Sequence, residues 1–362
     1  MKQSMPTKIM QISSMKIWAG GEVHVVLLCN ELMKLGINVT LACRPGTFID
    51  KNAREAHIPV INQPFSGAID LKSARELAKY CEAHSIEIIH AHTGRDYWLA
   101  VWTKFFYPKI RIVITRHIQC PLKNSMFHRW AYQKVDKVIA VSQAVRKSLT
   151  SFPSEKITTI YNGIDIERFK TAKPGVLRKK LAVSETTKII GMIGRITPIK
   201  GQDTFFRSIS DISSKVPDTV FVVAGACDDK DYIEKLKRIN NTVIFLGMCD
   251  NVPEIMKDLD VFVLASLEEP FGLVTVEALA AGIPVVATNT GGTTEIITDG
   301  ETGLLIPPED PSKMAEAVIT ILSDPDLANQ FRANGLNRVE SFTIKKMTLS
   351  TLAVYSEALD NI

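Results

Sequence analysis

The chain has 362 residues, of which 46% are hydrophobic and 23% charged, with a formal net charge of +4. That length exceeds one ordinary core and predicts two domains, and the composition is that of a globular protein. No apolar run reaches the roughly 18 residues of a membrane-spanning helix, which argues against an integral membrane protein.

The small net charge hides an asymmetry. Residues 1–170 carry 24 Lys and Arg against 13 Asp and Glu (+11), and the remainder 19 against 26 (−7). A basic half suits an anionic partner on that half; an unevenly charged solvated surface has an equal claim. A nucleic-acid binder would show a denser basic stripe and a reading motif, and neither is present. The six cysteines (Cys29, Cys43, Cys81, Cys120, Cys227, Cys249) are dispersed and form no CxxC. That fits buried thiols in a reducing cytosol better than a disulfide frame or a metal knuckle. The opening MKQSMPTKIMQISS has no signal-peptide core, so the expected place is the cytoplasm.

In chain order, KIMQI (8–12), INVTLA (37–42), IEIIHA (86–91), RIVIT (111–115) and KVIAV (137–141) read as strands. Amphipathic stretches such as Val23–Leu35 and Leu71–His84 lie between them. After the first strand comes IWAGGEVHVV (17–26), where Gly20 and Gly21 open a helix. Bare amides at a helix start favour an anion, and glycine permits close approach. This is not the GxGxxG of a dinucleotide site, and a plain strand-to-helix turn explains it equally well. Glu22 would complement the helix dipole.

GRDYWLAVWTKFFYPKIR (94–111) and SMFHRWAYQKVDK (125–137) mix aromatic and basic residues. They read either as an interfacial surface for anionic lipid or as aromatics facing the sheet of the first domain. The break between domains falls near YNGIDIERFKTAKPG, with the first domain at 1–168 and the second at 169–342.

A second strand series follows: KIIGMI (188–193), TVFVVAG (219–225), VIFLG (243–247), DVFVLA (260–265), IPVVAT (283–288) and GLLIP (303–307). Strands this continuously apolar belong to parallel sheets covered on both faces, so the chain reads as two doubly wound α/β domains. Such domains bind ligands at the carboxyl ends of their strands. After the first strand of this series, GRITPIKGQD (194–203) sets Arg195 and Lys200 around a proline loop. They form either a diphosphate clamp or a pair of solvated cations.

In EEPFGLVTVEALAAGIPVVAT (268–288), Gly272 and Pro284 bracket a helix over Leu273–Ala281. Glu277 lies one turn from both Leu273 and Ala281, on an apolar face. Buried carboxylates need a partner, yet no Lys or Arg occurs between Asp258 and Lys313. The partner is a distant cation or a ligand. Glu269 and the amides that follow it offer the mixture of acceptor and donors that sugar hydroxyls require. The last helix, about Ile344–Leu359, follows the second domain.

Together these stretches resemble the retaining GT-B glycosyltransferases of family 4, over essentially the whole chain. The resemblance rests on GGE, IIHAHT (88–93), TRH (115–117), VIAVSQ (138–143), YNGID (161–165), GRITPIKG, FLG (245–247), DVFVLAS (260–266), EPFGLVTVEALAAGIPVVAT, GGTTEII (291–297) and GETGLLIPPED (300–310), with the E-x7-E pair Glu269 and Glu277 at its centre. It implies two Rossmann-like domains facing across a cleft, with a C-terminal helix (343–362) returning to the first. It implies a metal-independent hexosyltransferase that uses a nucleotide-diphosphate sugar, expected to be a UDP-sugar. The acceptor would be an anionic glycan or glycolipid, as in lipopolysaccharide core or other bacterial envelope polysaccharide synthesis. Contact with the inner face of the cytoplasmic membrane would then be peripheral.

Residue by residue, the resemblance implies that Glu277 holds the ribose. Glu269 and the amides of Phe271, Gly272 and Leu273 would grip the sugar, and Arg195 and Lys200 would neutralise the diphosphate. Gly21, beside Gly20, would touch it from the other domain, His117 would sit at the sugar, and Leu246, Gly247, Met248 and Val252 would meet the base through backbone. No side chain stands out as a nucleophile. Three features depart from the pattern: Ala19 ahead of GGE, no proline before Ser266, and Arg116 and Ile118 flanking His117. His90, His92 and His117 could in principle bind a metal, but strand-end histidines are commonly just hydrogen-bonded; His24 and His57 read as structural or exposed. Two rivals remain open: an epimerase of the same fold acting on a nucleotide-sugar, and a non-catalytic subunit.

Overall fold

The computed structural model describes residues 5–123, 125–227 and 229–360. The first four residues, part of the opening read as lacking a signal core, lie outside the described ones. The chain divides into two compact units, one ending at Gly163 and resuming at Ile344, the other spanning Ile164–Thr343. The division falls five residues before the sequence-read boundary of 168/169. Helix Ile166–Lys170 buries Ile166 and Phe169 and packs against helices Val252–Lys257 and Leu273–Ala281, so it belongs to the second unit.

The first unit is built on a seven-stranded parallel sheet: β1 (Lys8–Ser13), β2 (Asn38–Cys43), β3 (Val60–Asn62), β4 (Ile88–Ala91), β5 (Arg111–Arg116), β6 (Lys137–Ala140) and β7 (Ile157–Thr159). Their order is β3-β2-β1-β4-β5-β6-β7. The five central strands are the five read from sequence. β3 and β7 are three-residue edges carrying Asn62, Thr158 and Thr159, and such short, half-polar edges leave no apolar run to read.

Helix Ile344–Asp360 returns to this unit. Met347, Leu352, Val354, Tyr355 and Ala358 join its core beside helix Gly20–Lys34. Lys137 and Glu357 close the contact with a 2.6 Å ion pair.

The second unit holds a six-stranded parallel sheet: β8 (Lys188–Ile193), β9 (Thr219–Ala224), β10 (Ile244–Gly247), β11 (Val261–Leu264), β12 (Val285–Thr288) and β13 (Leu304–Ile306), in the order β10-β9-β8-β11-β12-β13. β11 and β12 are buried along their whole length, as sheets covered on both faces require. In each unit the strand order reverses beside the first strand, between β1 and β4 and between β8 and β11. Chains leaving adjacent strands in opposite directions open a crevice at such a point, and ligands bind there. No described helix is long and apolar enough to cross a membrane.

Candidate active site

In the second unit the loops after β8 and β11 meet at the switch point. Ile199 accepts a backbone hydrogen bond from Leu267 N at 2.9 Å, which ties the loops together. Gly201 makes the approach possible. Its φ is +67°, and a Cβ there would lie 2.0 Å from the Ala265 carbonyl oxygen. Only glycine combines that conformation with that contact. Lys200 is therefore held beside Glu269: Nζ donates to Oε2 at 2.6 Å, and Ser266 Oγ donates to the same oxygen at 3.1 Å.

Glu269 is 7% exposed, so this is a largely desolvated pair, with one of three lysine donors committed. The sequence suggested separate duties for the two residues; the structure joins them. Arg195 follows β8 directly. Its carbonyl accepts from Gln202 Nε2, its side chain is exposed, and its guanidinium has no partner among the described residues.

The Glu269–Leu273 turn is braced by a second close approach. Gly292 N donates to the Glu269 carbonyl at 2.8 Å, and a Cβ on Gly292 would lie 2.6 Å from the Pro270 oxygen. Gly272, at φ +106°, then starts helix Leu273–Ala281. The amides of Gly272 and Leu273 have no acceptor among the described residues. They form the electropositive start of a nine-residue helix.

Glu277 lies on that helix. Its carboxylate has no hydrogen bond or ion pair among the described residues. Packed protein raises its pKa to about 7, opposed by the Arg168 charge. The part of the side chain that still meets solvent acts in the same direction as Arg168. Arg168 is the distant cation that the sequence left unnamed, yet its guanidinium donates instead to the Asp250 carbonyl at 3.3 Å.

Leu246, Gly247 and Met248 end edge strand β10, where the register with β9 slips between Phe245 and Gly247. A bulge turns a strand's end and frees backbone. Gly247 O already accepts from Gly225 N at 2.8 Å, and Met248 is 64% exposed. Val252 opens the next helix.

In the first unit, Gly20 and Gly21 start helix Gly20–Lys34 after β1. Glu22 Oε2 accepts from Ala19 N at 3.0 Å, so Glu22 caps this helix. Asp96 ties the loops after β1 and β4 by accepting from Ser14 N (3.0 Å) and Thr93 N (2.9 Å). His117, just past β5, lies against Gly21: a Cβ on Gly21 would be 3.8 Å from His117 Cγ.

Behind it runs a chain of imidazoles. His92 Nδ1 is 3.3 Å from His117 Nε2, and His92 Nε2 is 2.8 Å from Gln11 Oε1. Gln11 Nε2 donates to Tyr355 Oη, which lies 2.6 Å from His90 Nδ1. Burial holds His90, His92 and His117 well below the usual imidazole range and lowers His24 to about 4, so all four are neutral at pH 7. The sequence grouped His90, His92 and His117; the structure puts His24 at the front and His90 behind. Pairing across three separate elements leaves no sequence signal. His57 is exposed, at φ +56°.

The aromatic segments divide between the two readings. Tyr97 is buried and donates to the Thr115 carbonyl. Trp98, Phe127 and Trp130 stack outside, joined by Trp102, with Phe105 67% and Phe127 43% exposed. Elsewhere in this unit a shallow depression of about 450 Å³ is lined by Lys16, Arg44 and Phe48. Arg44 spends three donors on the carbonyls of Ser14, Pro64 and Phe65, and none of the residues discussed above borders it.

Residues 175–338 match the family described as glycosyl transferases group 1, and residues 18–168 match glycosyltransferase family 4. The lipopolysaccharide core biosynthesis mannosyltransferase LpsB of Rhizobium meliloti is 31% identical over 69% of this chain and 73% of its own. A glycosyltransferase from Rickettsia africae superposes with a TM-score of 0.89 at 21% identity, covering 99% of this chain and 100% of that one. Anabaena Alr3699/HepE, solved with UDP and glucose, superposes at 0.82 with 22% identity, covering 95% and 98%. At these identities the two structures speak for the fold.

Proposed function

The chain belongs to the GT-B glycosyltransferases of group 1, family 4, and from that premise we propose that it moves a hexose-like sugar from a UDP-sugar to an anionic glycan or glycolipid, with retention of configuration and without a metal. The observation that carries this is the uncommitted polar set at the second unit's switch point: Arg195, the remaining donors of Lys200, the amides of Gly272 and Leu273, and Glu277. Breaking the anomeric C–O bond builds negative charge on the diphosphate. Arg195 and Lys200 stabilise that charge where it develops, as a metal would elsewhere. Glu269, with Phe271, Gly272 and Leu273, orients the sugar. Glu277 accepts from the ribose hydroxyls, and Leu246–Met248 with Val252 receive the base.

In the first unit Gly20 and Gly21 approach phosphate and His117 meets the sugar. The departing phosphate takes the acceptor's proton, because negative charge builds on it as the anomeric C–O bond breaks. A UDP donor is favoured by the likeness to HepE, whose structure holds UDP, and envelope glycan as acceptor class by the likeness to LpsB.

Calorimetric titration with UDP, GDP and ADP tests the donor. We expect UDP to bind at least about tenfold more tightly than the others, a difference of about 1.4 kcal/mol. Tighter GDP binding would overturn the UDP assignment, and no nucleotide binding would revive the binding-subunit reading. Transfer followed by proton NMR should show an anomeric coupling unchanged from donor to product; a changed coupling refutes retention. Sugar conversion without acceptor would instead indicate an epimerase.

The outer aromatic stack, with Lys109 and Arg129 nearby in sequence, is proposed as the surface that meets anionic lipid. The protein should sediment with anionic vesicles at low salt and less so at high salt, because the attraction is screened within a Debye length of about 10 Å at 0.1 M. Phe105→Ser with Phe127→Ser should weaken that binding. Failure of the wild type to sediment at low salt refutes the surface.

A further inference from the structure

His24, His92 and His117 bring one ring nitrogen each within 4.8 Å of one another. They come from helix Gly20–Lys34, the end of β4 and the end of β5. His92 Nδ1 and His117 Nε2 are already 3.3 Å apart. Two nitrogens bound at about 2.0–2.1 Å to one tetrahedral ion lie at about that separation. His24 is 3% exposed, and neither of its ring nitrogens has a hydrogen-bond partner among the described residues. The Asn162 side chain is His24's nearest hydrogen-bonding neighbour and raises its basicity against the larger lowering by burial, but it does not reach hydrogen-bond geometry with either ring nitrogen, and Asn162 Oδ1 is itself buried without a partner among the described residues.

A buried imidazole with both nitrogens unsatisfied is costly, and orphaned polar groups of this kind call for an explanation. The rings behind the cluster supply one. Gln11 Oε1 can only accept, so His92 Nε2 carries the proton and Nδ1 presents its lone pair to the cluster. Gln11 is itself held by Tyr355, and Tyr355 by His90. This is the outer support that fixes a metal-bound histidine's tautomer.

We propose that His24, His92 and His117 form a site for one divalent cation of the zinc class, whose occupation takes His117 away from the donor sugar and so inhibits transfer. His117 shifts its proton to Nδ1, the three nitrogens bind, and the part of His117 at the surface gives solvent the fourth position. The ion takes no part in transfer. Binding itself rests on the cluster geometry alone; the inhibition also rests on the proposed role of His117, and separate readouts distinguish them.

The probe is Co²⁺, titrated into the chelator-treated full chain with Cys120→Ser to remove the exposed thiol. One ion per chain should bind, with visible bands of a four-coordinate nitrogen and oxygen site and no sulfur-to-cobalt charge-transfer band. Zn²⁺ should displace it. Gln11→Leu should weaken binding roughly tenfold to hundredfold, and His24→Phe should abolish it while UDP affinity, read on the second unit, stays as in the wild type. Absence of the visible bands in wild type, or their persistence in His24→Phe, overturns the site; a wild-type result alone suffices if the variants do not fold. Zn²⁺ that binds without slowing transfer overturns the inhibition and leaves the site standing.

Discussion

Glu277→Gln should make the protein more stable at pH 8 and a weaker nucleotide binder. The carboxyl is raised to about 7 in the folded chain, against an ordinary value near 4.3 in an unfolded one. The folded state thus binds the proton more tightly, and the stabilisation from protonated Glu277 is complete at pH 4 and below. It is lost as pH rises through about 7, and above that the ionised carboxylate is a standing cost. The gap is worth at most about 4 kcal/mol, reduced by the solvent-facing part of the side chain.

Wild type and Glu277→Gln should therefore unfold alike at pH 4 and separate by about 1–2 kcal/mol at pH 8, read from urea midpoints. Charge-assisted hydrogen bonds are worth about 1.5–3 kcal/mol each, so UDP affinity should fall roughly tenfold to hundredfold. Ribose hydroxyls donating to the carboxylate favour its ionised form. Wild-type binding near pH 6 should release protons, seen as a binding enthalpy that depends on the buffer, and the variant should lose that dependence. A variant that is less stable than wild type and binds UDP normally would make Glu277 a structural residue.

Lys200→Met should cost roughly 10²–10³ in kcat, the scale for removing a charge-stabilising donor from a reacting centre. It should also lower stability by about 2 kcal/mol, because Glu269 is then left desolvated with Ser266 as its remaining side-chain partner. Glu269→Gln should cost a similar amount in rate while sparing more of the stability, since an amide next to Lys200 still accepts a hydrogen bond. Joining the two substitutions should recover part of the stability lost in Lys200→Met, because no unpaired carboxylate remains, and none of the rate. That divergence separates a pair kept for transfer from one kept for folding. If the double variant regains both together, or Lys200→Met turns over normally, Lys200 has no part in stabilising the leaving diphosphate.

Much of the donor side was legible because its signals are local. Helix Leu273–Ala281 has the bounds read from sequence: Gly272 opens it, and Gly282, at φ +73°, caps it two residues before Pro284, because glycine's left-handed conformation acts through its own backbone. The apolar runs named eleven of the thirteen strands among the described residues, and the two missed were short edges. GRITPIKG placed Arg195 and Lys200 at a strand's carboxyl end for the same reason: the strand, the proline and the glycine are neighbours in sequence.

What the linear pattern could not decide was which loops touch. The Lys200–Glu269 pair depends on β8 and β11 being adjacent, which is a matter of strand order. Arg168 reaches Glu277's field only because helix Ile166–Lys170 folds onto the second unit, whereas the 168/169 boundary read from sequence cuts through it. The aromatic segments were ambiguous because helical periodicity does not say whether a second helix covers the outer face; in the folded chain Trp98 stacks on Phe127 and Trp102 packs tilted against Phe127 and Trp130, while Tyr97 turns inward.

The histidine cluster lies furthest from sequence reasoning. Composition and periodicity determined two doubly wound domains and the residues at the strand ends. Only the tertiary structure brought His24, His92 and His117 to one place and set Gln11 and Tyr355 behind them. The physical reason is that burial and helix or strand character are set by neighbours along the chain, whereas a cluster of ring nitrogens is set by the crossing of elements distant in sequence.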